Sequence, residues 1–257
     1  MRELERDSSS ILDGRSPLTR PLAVVGDGRL GRALASAFRA AGLDVQGPLG
    51  RGADGSGAGV VLLCVPDSEI AGAAALVVDG PLVGHCSGAT GLDPLAPHEA
   101  FSLHPLMTVT HAGADFRGAG AAIAGATARA RETATELAET LGLRPVEVAE
   151  EDRVAYHAAA SMASNFLIAL SAAAERVAET AGVERELLVP LVRATVENWS
   201  ALGAPGALTG PVARGDEETV EAHRAAVAER TPELLALFDA FLDVTRRLSR
   251  QAEAQPA

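Results

Sequence analysis

Two patterns in the sequence have the residue types and spacing for chemistry. Gly26, Gly28 and Gly31 form Gly-x-Gly-x-x-Gly, with Arg29 and Leu30 between the last two, in the stretch LAVVGDGRLGRALASAFRAAG that begins at Leu22. In a turn that holds a dinucleotide, the first glycine makes the bend, the second lets backbone approach the pyrophosphate, and the third lets helix pack on strand. The motif alone is weak, and a tight bend is its other reading. Here an apolar run precedes it and an amphipathic helical pattern follows, which places a phosphate at the positive end of a helix. The second pattern is His157, Ser161 and Asn165, which advance by four and so lie near one helical stripe. With Tyr156 and Ser164 they form a polar cluster in a helix otherwise made of Ala, Met, Phe and Leu. Such a stripe either faces a cleft, where an imidazole can move a proton near neutral pH, or satisfies itself inside a bundle.

The apolar run after the glycine turn, LDVQG, ends at Gln46 and Gly47 with Arg51 just beyond. An acidic residue at that strand end would grip a ribose hydroxyl, and its absence favours NADP over NAD. Asp44, early in the run, argues the other way, and a solvated surface arginine is the alternative for Arg51. Residues 47–59, GPLGRGADGSGAG, leave no room for the helix, strand and helix that ordinarily follow. The sheet is therefore expected to be cut short on this side. Arg214, in TGPVARGD, can grip a carboxylate or a phosphate in bidentate fashion, or be turn punctuation with Thr209 and Asp216.

Positioning these groups falls to seven short apolar runs: LAVV, LDVQG, VVLLCV, PLVGHC, AFSL, GAAIAG and PVEVA. Continuous rather than alternating runs indicate strands covered on both faces, hence a mostly parallel sheet flanked by helices. From Glu151 the runs give way to Ala-rich helical patterns. The first, marked by Val154, Ala158, Met162, Phe166, Ala169 and Ala173, stops near Gly182. The second reaches Leu202 with a bend expected at Pro190. Asp216 and Thr231, the latter followed by Pro232, read as helix caps. The expected division is a mobile tail over residues 1–20, an α/β domain over 21–150 and an all-α domain over 151–257.

Composition narrows the classes further. The chain of 257 residues carries a net charge of -12, so nucleic acid is not an expected partner. No apolar run approaches a membrane span, and MRELERDSSS has no signal-peptide core, so a cytoplasmic protein with no membrane partner is expected. Cys64 and Cys86 sit in apolar runs and read as packing, and no spacing indicates a metal site. All 22 basic residues are arginine, which leaves no Schiff base and no catalytic ammonium.

The motifs VVLLCVPDSEI, HCSGATGLDPLA and SLHPLMTV resemble the dehydrogenases that join a Rossmann domain to a helical one: the 6-phosphogluconate, β-hydroxyacid, prephenate and ketopantoate group. YHAAASMASNFL, PLVRATVEN and ALTGPVARGD are similar to a bacterial branch with a carboxy-terminal domain of unknown function, labelled NADP oxidoreductase-like. The resemblance covers the chain from Pro21 onward. It implies a Rossmann NADP-binding domain, shortened on the strand-2 side, and a helical domain of the 6-phosphogluconate dehydrogenase type that binds substrate and forms a homodimer. It sets Val65 and Pro66 along the nicotinamide ribose and Ser87 beside the nicotinamide, although Ser87 also reads as a cap. His104 matches the His-Pro element of prephenate dehydrogenases, whose histidine reaches the substrate oxygen; a structural histidine before a turn is the other reading. Asn165 matches an asparagine of β-hydroxyacid dehydrogenases, while Ser161 stands where they carry lysine, which excludes their lysine chemistry. The implied function is hydride transfer between NADP and a small 2-oxo acid or imine, ketopantoate-reductase-like. His104 or His157 would handle the proton, Ser87 and Asn165 would orient the substrate, and Ser161 and Arg214 would bind it. A non-catalytic NADP(H) sensor and a structural dimerising protein are the alternatives.

Overall fold

The computed structural model describes residues 17–111 and 113–254, so most of the tail expected over residues 1–20 lies outside them. Residues Pro17–Thr19 form one turn of 3-10 helix. Arg20 then donates to the carbonyl of Gly57, which ties this turn to the first part of the sheet.

Each of the seven apolar runs is a strand: β1 (Leu22–Val25), β2 (Val45–Leu49), β3 (Val60–Leu63), β4 (Leu82–His85), β5 (Ala100–Leu106), β6 (Gly120–Gly125) and β7 (Arg144–Glu147). They form one sheet in the order β2-β1-β3-β4-β5-β6-β7. Every pairing is parallel except β5 with β6. All residues of β1, β3 and β4 are buried. One face packs on α1 (Arg29–Ala40) and α3 (Ala128–Thr140) through Leu34, Phe38 and Leu137. The other packs on α2 (Ile70–Ala74) through Ile70 and Ala73. Burying each large side chain of this kind is worth roughly 1.5–3 kcal/mol, so the middle of the sheet is the firm platform. β2 is the edge strand, and among the described residues no helix or strand lies between Leu49 and Val60. The shortened side expected from residues 47–59 is present.

The chain divides into two compact units, residues up to Ser161 and residues from Met162. Helical structure starts where the sequence texture changes, yet α4 (Arg153–Ser161) lies in the first unit. The cause is Arg153, whose guanidinium is bonded into the strand ends of the sheet.

The second unit opens with a wide π-type turn, Met162–Phe166, and continues through α5 (Leu167–Glu179), α6 (Arg185–Ala207), α7 (Glu217–Arg230) and α8 (Leu235–Ala254). Asp216 caps α7, accepting from the Thr219 N–H at 3.1 Å. Thr231 does not cap with its side chain; its hydroxyl turns back to the Val227 carbonyl. Helical dihedrals inside α6 fail at Gly203 (φ 70°) rather than at Pro190. Pro205 disfavours helix at the residue before it, and a glycine two positions upstream can take up the break.

Within this unit only Val220, Val227 and Thr231 are buried among the described residues. Trp199, Leu187, Leu191 and Phe166 are all more than half exposed. The expectation that nothing approaches a membrane span needs correcting, because the helical run Glu150–Glu179 is long and apolar enough by length and composition. Its many alanines dilute the polar residues enough to meet that criterion.

Candidate active site

The glycine turn has the geometry its spacing predicts. Gly26 adopts φ +117°, and a Cβ there would meet the Cys64 carbonyl oxygen at 2.3 Å. At Gly31, in the first turn of α1, a Cβ would fall 1.9 Å from the Gly26 carbonyl oxygen. A Cβ at Gly28 would instead meet nothing within 4 Å. Gly28 is the N-cap of α1 and supplies no side-chain cap, so the first N–H groups of that helix open onto free space. Asp27, between the glycines, is held by Arg32 through two hydrogen bonds of 2.7 and 2.8 Å. That pairing draws the Asp27 carboxyl below the usual carboxylate range.

From this turn a cavity of about 450 Å³ extends past Leu30, Val65 and Pro66 to Ser87 and His104. A second, of about 600 Å³, shares Gly28 and Arg29 with it. The carboxyl ends of β1, β3 and β4, with β5, thus bring Gly28, Arg29, Leu30, Val65, Pro66, Ser87 and His104 to one cavity.

His104, on β5, stands at the inner end. Its Nδ1 is 2.8 Å from the Tyr156 hydroxyl, and its ring lies edge-on to His157, with centroids 5.9 Å apart. Gly88 fits against this pair; a Cβ there would meet His157 Cδ2 at 2.7 Å and His104 Nε2 at 3.0 Å. Burial, followed by the neighbouring charges of His157 and Arg153, pulls the His104 value down to about 4. His104 is therefore a neutral imidazole at physiological pH. Burial raises the Tyr156 phenol, and the backbone of Ala122 bonds to the same group. The Tyr156 hydroxyl and His104 Nδ1 share one hydrogen bond, in which the phenol donates when the imidazole carries its proton on Nε2 and accepts when it carries it on Nδ1.

Ser87 is buried, and its hydroxyl is fully engaged. It donates to Asp67 Oδ2 at 2.7 Å and accepts from the N–H groups of Ala89 and Thr90. It closes the loop after β4 rather than capping the next helical turn, whose N-cap is Leu92, and Ser87 lines the cavity. His85, wholly buried, supports the same loop: Nδ1 accepts from the Ser87 N–H, and Nε2 bonds the Gly91 carbonyl.

Arg153 is the residue that sequence reasoning missed. It is 2% exposed and donates to the Ser87 carbonyl at 2.7 Å and to Ser102 Oγ at 3.0 Å. Its Nε has no partner. The only available signal was an arginine at the start of an Ala-rich helix. Asp67, which bonds both Ser87 and Thr90, also escaped, and Tyr156 was grouped with the polar cluster without a role.

The remaining assigned residues lie elsewhere. Arg51 is solvent-facing and paired with Glu69 at 2.8 Å. Ser161, half-buried, ends α4. The stripe expected through residues 157, 161 and 165 is α-helical only as far as Ser161, because the wide turn at Met162–Phe166 changes the advance per residue. Asn165 is exposed in that turn and Arg214 in the loop before α7; both belong to the second unit. Among the described residues no group of three or more His, Cys, Asp or Glu is placed to hold a metal ion.

A family model described as a domain of unknown function, DUF2520, matches residues 99–244. No curated protein matches the chain. Among solved structures, protein TM1727 from Thermotoga maritima is similar at 24% identity and a TM-score of 0.76, over 90% of this chain and 99% of that one. A Bacteroides fragilis protein provisionally named an NADP oxidoreductase is similar at 20% and 0.74, over 89% and 98%. A reductive aminase from Aspergillus terreus, solved with NADPH and ethyl levulinate, is similar at 14% and 0.64, over 91% and 99%. These likenesses establish the fold: a Rossmann-type sheet unit followed by helices.

Proposed function

We propose that this chain, which belongs to the DUF2520 family, is an NADP-dependent oxidoreductase that reduces a small imine. The observation that carries the reading is the open N-terminus of α1 at Gly28, joined by one cavity to the His104–Tyr156 pair. The α1 N–H groups and Arg29 would hold the pyrophosphate, Val65 and Pro66 would lie along the nicotinamide ribose, and Arg51 would meet a 2′-phosphate. Bound NADPH supplies the hydride. That some fold relatives are named as NADP oxidoreductases or were solved with NADPH supports this cofactor.

The charges at the inner end favour an imine over a 2-oxo acid. His104 is neutral there, while Asp67 brings a carboxylate to the cavity lining. An iminium carbon would be welcome beside that carboxylate, whereas an oxo acid would bring a second negative charge. Ketopantoate-type reduction is the second reading, and it would need a cation to bind the acid. His104 Nε2–H, backed by the Tyr156 hydroxyl, is the donor for a substrate nitrogen or oxygen, and Ser87 positions the loop beside it. The exposed apolar residues of the second unit, Trp199, Leu187 and Leu191, support a homodimer formed through the helices.

The test is NADPH binding followed through nicotinamide fluorescence, with absorbance assays across a panel of cyclic imines and 2-oxo acids. Turnover of imines is the expected result. Turnover of oxo acids alone would overturn the substrate class, tight binding without turnover would make the protein a sensor, and no binding would remove the enzyme reading. Arg51→Ala is expected to weaken NADPH more than NADH; equal losses would remove Arg51 from cofactor selection.

A further inference from the structure

The two cysteines of the chain, which the sequence reads as packing, meet at the floor of the cavity. Cys64 Sγ and Cys86 Sγ are 3.7 Å apart. Leu63 of β3 and His85 of β4 are partners in the parallel ladder, and the cysteines are the next residues along each strand. Neighbouring strands lie about 4.8 Å apart, inside the roughly 4.4–6.8 Å between Cα atoms that a disulfide accepts. Both side chains belong to the core face that packs on α1, so no rotation of a strand is needed to bring the sulfurs together.

The pair is also asymmetric. Cys64 is half-buried, and Cys86 is 8% exposed. A hydrogen bond with Cys64 and then burial push the Cys86 thiol well up. Cys64 is thus the more accessible thiol, with a second sulfur within reach to resolve an oxidised one.

We propose that Cys64 and Cys86 form a peroxide-sensitive dithiol, a modification site whose oxidation to a disulfide weakens dinucleotide binding in the same cavity. The coupling rests on the dinucleotide reading given above; the dithiol itself does not. The Cys64 thiolate attacks one oxygen of the peroxide, the O–O bond breaks, and a sulfenic acid forms as hydroxide leaves. The Cys86 sulfur then attacks the sulfenic sulfur. An S–S bond forms, the S–O bond breaks, and the departing hydroxide takes the Cys86 proton as water. Two thiols are thereby oxidised by two electrons and one hydroperoxide is reduced to two waters, or to water and an alcohol.

Closing the bond brings the sulfurs from 3.7 Å to about 2.05 Å. The Cys64 N–H is bonded to the Val25 carbonyl at 2.7 Å, immediately before Gly26. The movement is therefore passed to the glycine turn. By reciprocity, bound dinucleotide must oppose disulfide formation to the same degree.

The experiment treats the reduced full-length chain with hydrogen peroxide, with and without NADPH. Intact mass and non-reducing peptide maps are then read, and NADPH affinity is measured before and after dithiothreitol. Expected are loss of two hydrogens per chain, a Cys64–Cys86 crosslinked peptide, and an NADPH affinity lowered roughly tenfold and restored by reductant. Cys86→Ser is expected to stop at a Cys64 sulfenic acid that dimedone captures. Free thiols after peroxide, irreversible sulfonic acids or an interchain disulfide would overturn the site. An intramolecular disulfide with unchanged NADPH affinity would overturn the coupling. Failure of the reduced protein to bind NADPH removes the dinucleotide reading and the coupling together, while the mass still decides the dithiol.

Discussion

Acidification probes His104 without any substrate. In the unfolded chain its imidazole takes a proton near pH 6.5, whereas in the native site it does so only at about 4. Between those values the unfolded state binds more protons than the native one, so stability falls as pH falls. The contribution is fully present above pH 6.5 and is lost as pH descends to about 4. Each whole pH step in that interval removes up to about 1.4 kcal/mol, which gives ~2 kcal/mol between pH 6.5 and 4.5. His85, also held down by burial, acts in the same direction. The displaced carboxylates Asp27, Asp54, Asp115 and Asp216 all lie lower than usual, so their contributions are lost below this window. The assay is native-state hydrogen exchange read on peptides from β4 and β5, in the wild type and in His104→Gln, at pH 6.5 and 4.5. The wild type is expected to lose ~2 kcal/mol more protection than the variant, with the His104 Cε1 proton titrating near pH 4 by NMR. Equal losses in both proteins, or a His104 midpoint above 6, would refute the neutral imidazole.

Two further perturbations address the surroundings of that group. Arg153→Met removes charge-assisted hydrogen bonds to Ser87 and Ser102; relief from burying a cation offsets part of the loss, so a net destabilisation of ~2–4 kcal/mol by urea unfolding is expected. The His104 midpoint should rise because a repelling charge is gone, and a midpoint that stays put or falls would disprove that influence. Gly31→Ala must displace the Gly26 carbonyl and is expected to lower stability by roughly 1–3 kcal/mol, whereas Gly28→Ala, whose Cβ points into open space, should leave stability within ~1 kcal/mol while reducing NADPH binding. Equal effects of the two alanines in melts and titrations would contradict the phosphate cradle.

The parts of the structure legible in the sequence are those written locally. The apolar runs of β1, β3 and β4 were legible because a strand covered on both faces needs apolar residues at every position, while the runs of β2 and β7, at the sheet's edges, are only partly covered. Residues 47–59 announced the shortened edge because a glycine-rich stretch of that length cannot fold into three elements. The reversal between β5 and β6 was not legible, since strand direction depends on partners rather than on the run itself. Met162–Phe166 hides its wide turn for another reason: small side chains tolerate either helical advance, and the pattern that suggested a stripe to Asn165 is the same in both. Arg153 was invisible because its partners Ser102 and Ser87 are 51 and 66 residues away. Tyr156 meets His104 across 52 residues, so the polar cluster could be noticed but not assigned.

Those long-range contacts also define what the site can do. Arg153 is a buried cation whose direct partners are a hydroxyl and a carbonyl, and its own value is lowered by burial. A buried charge without a bonded carboxylate is a poor source of stability, so its consequence lies in its field. Burial first holds His85 and His104 toward the neutral form, and that field adds to it. On the proposed reading, with no lysine in the chain, His104 would pass a proton from Nε2 as Nδ1 takes one from the Tyr156 hydroxyl. On that reading the phenol behind the histidine would set the donor strength, and Arg153 holds α4, which carries that phenol, to β5 and to the loop after β4.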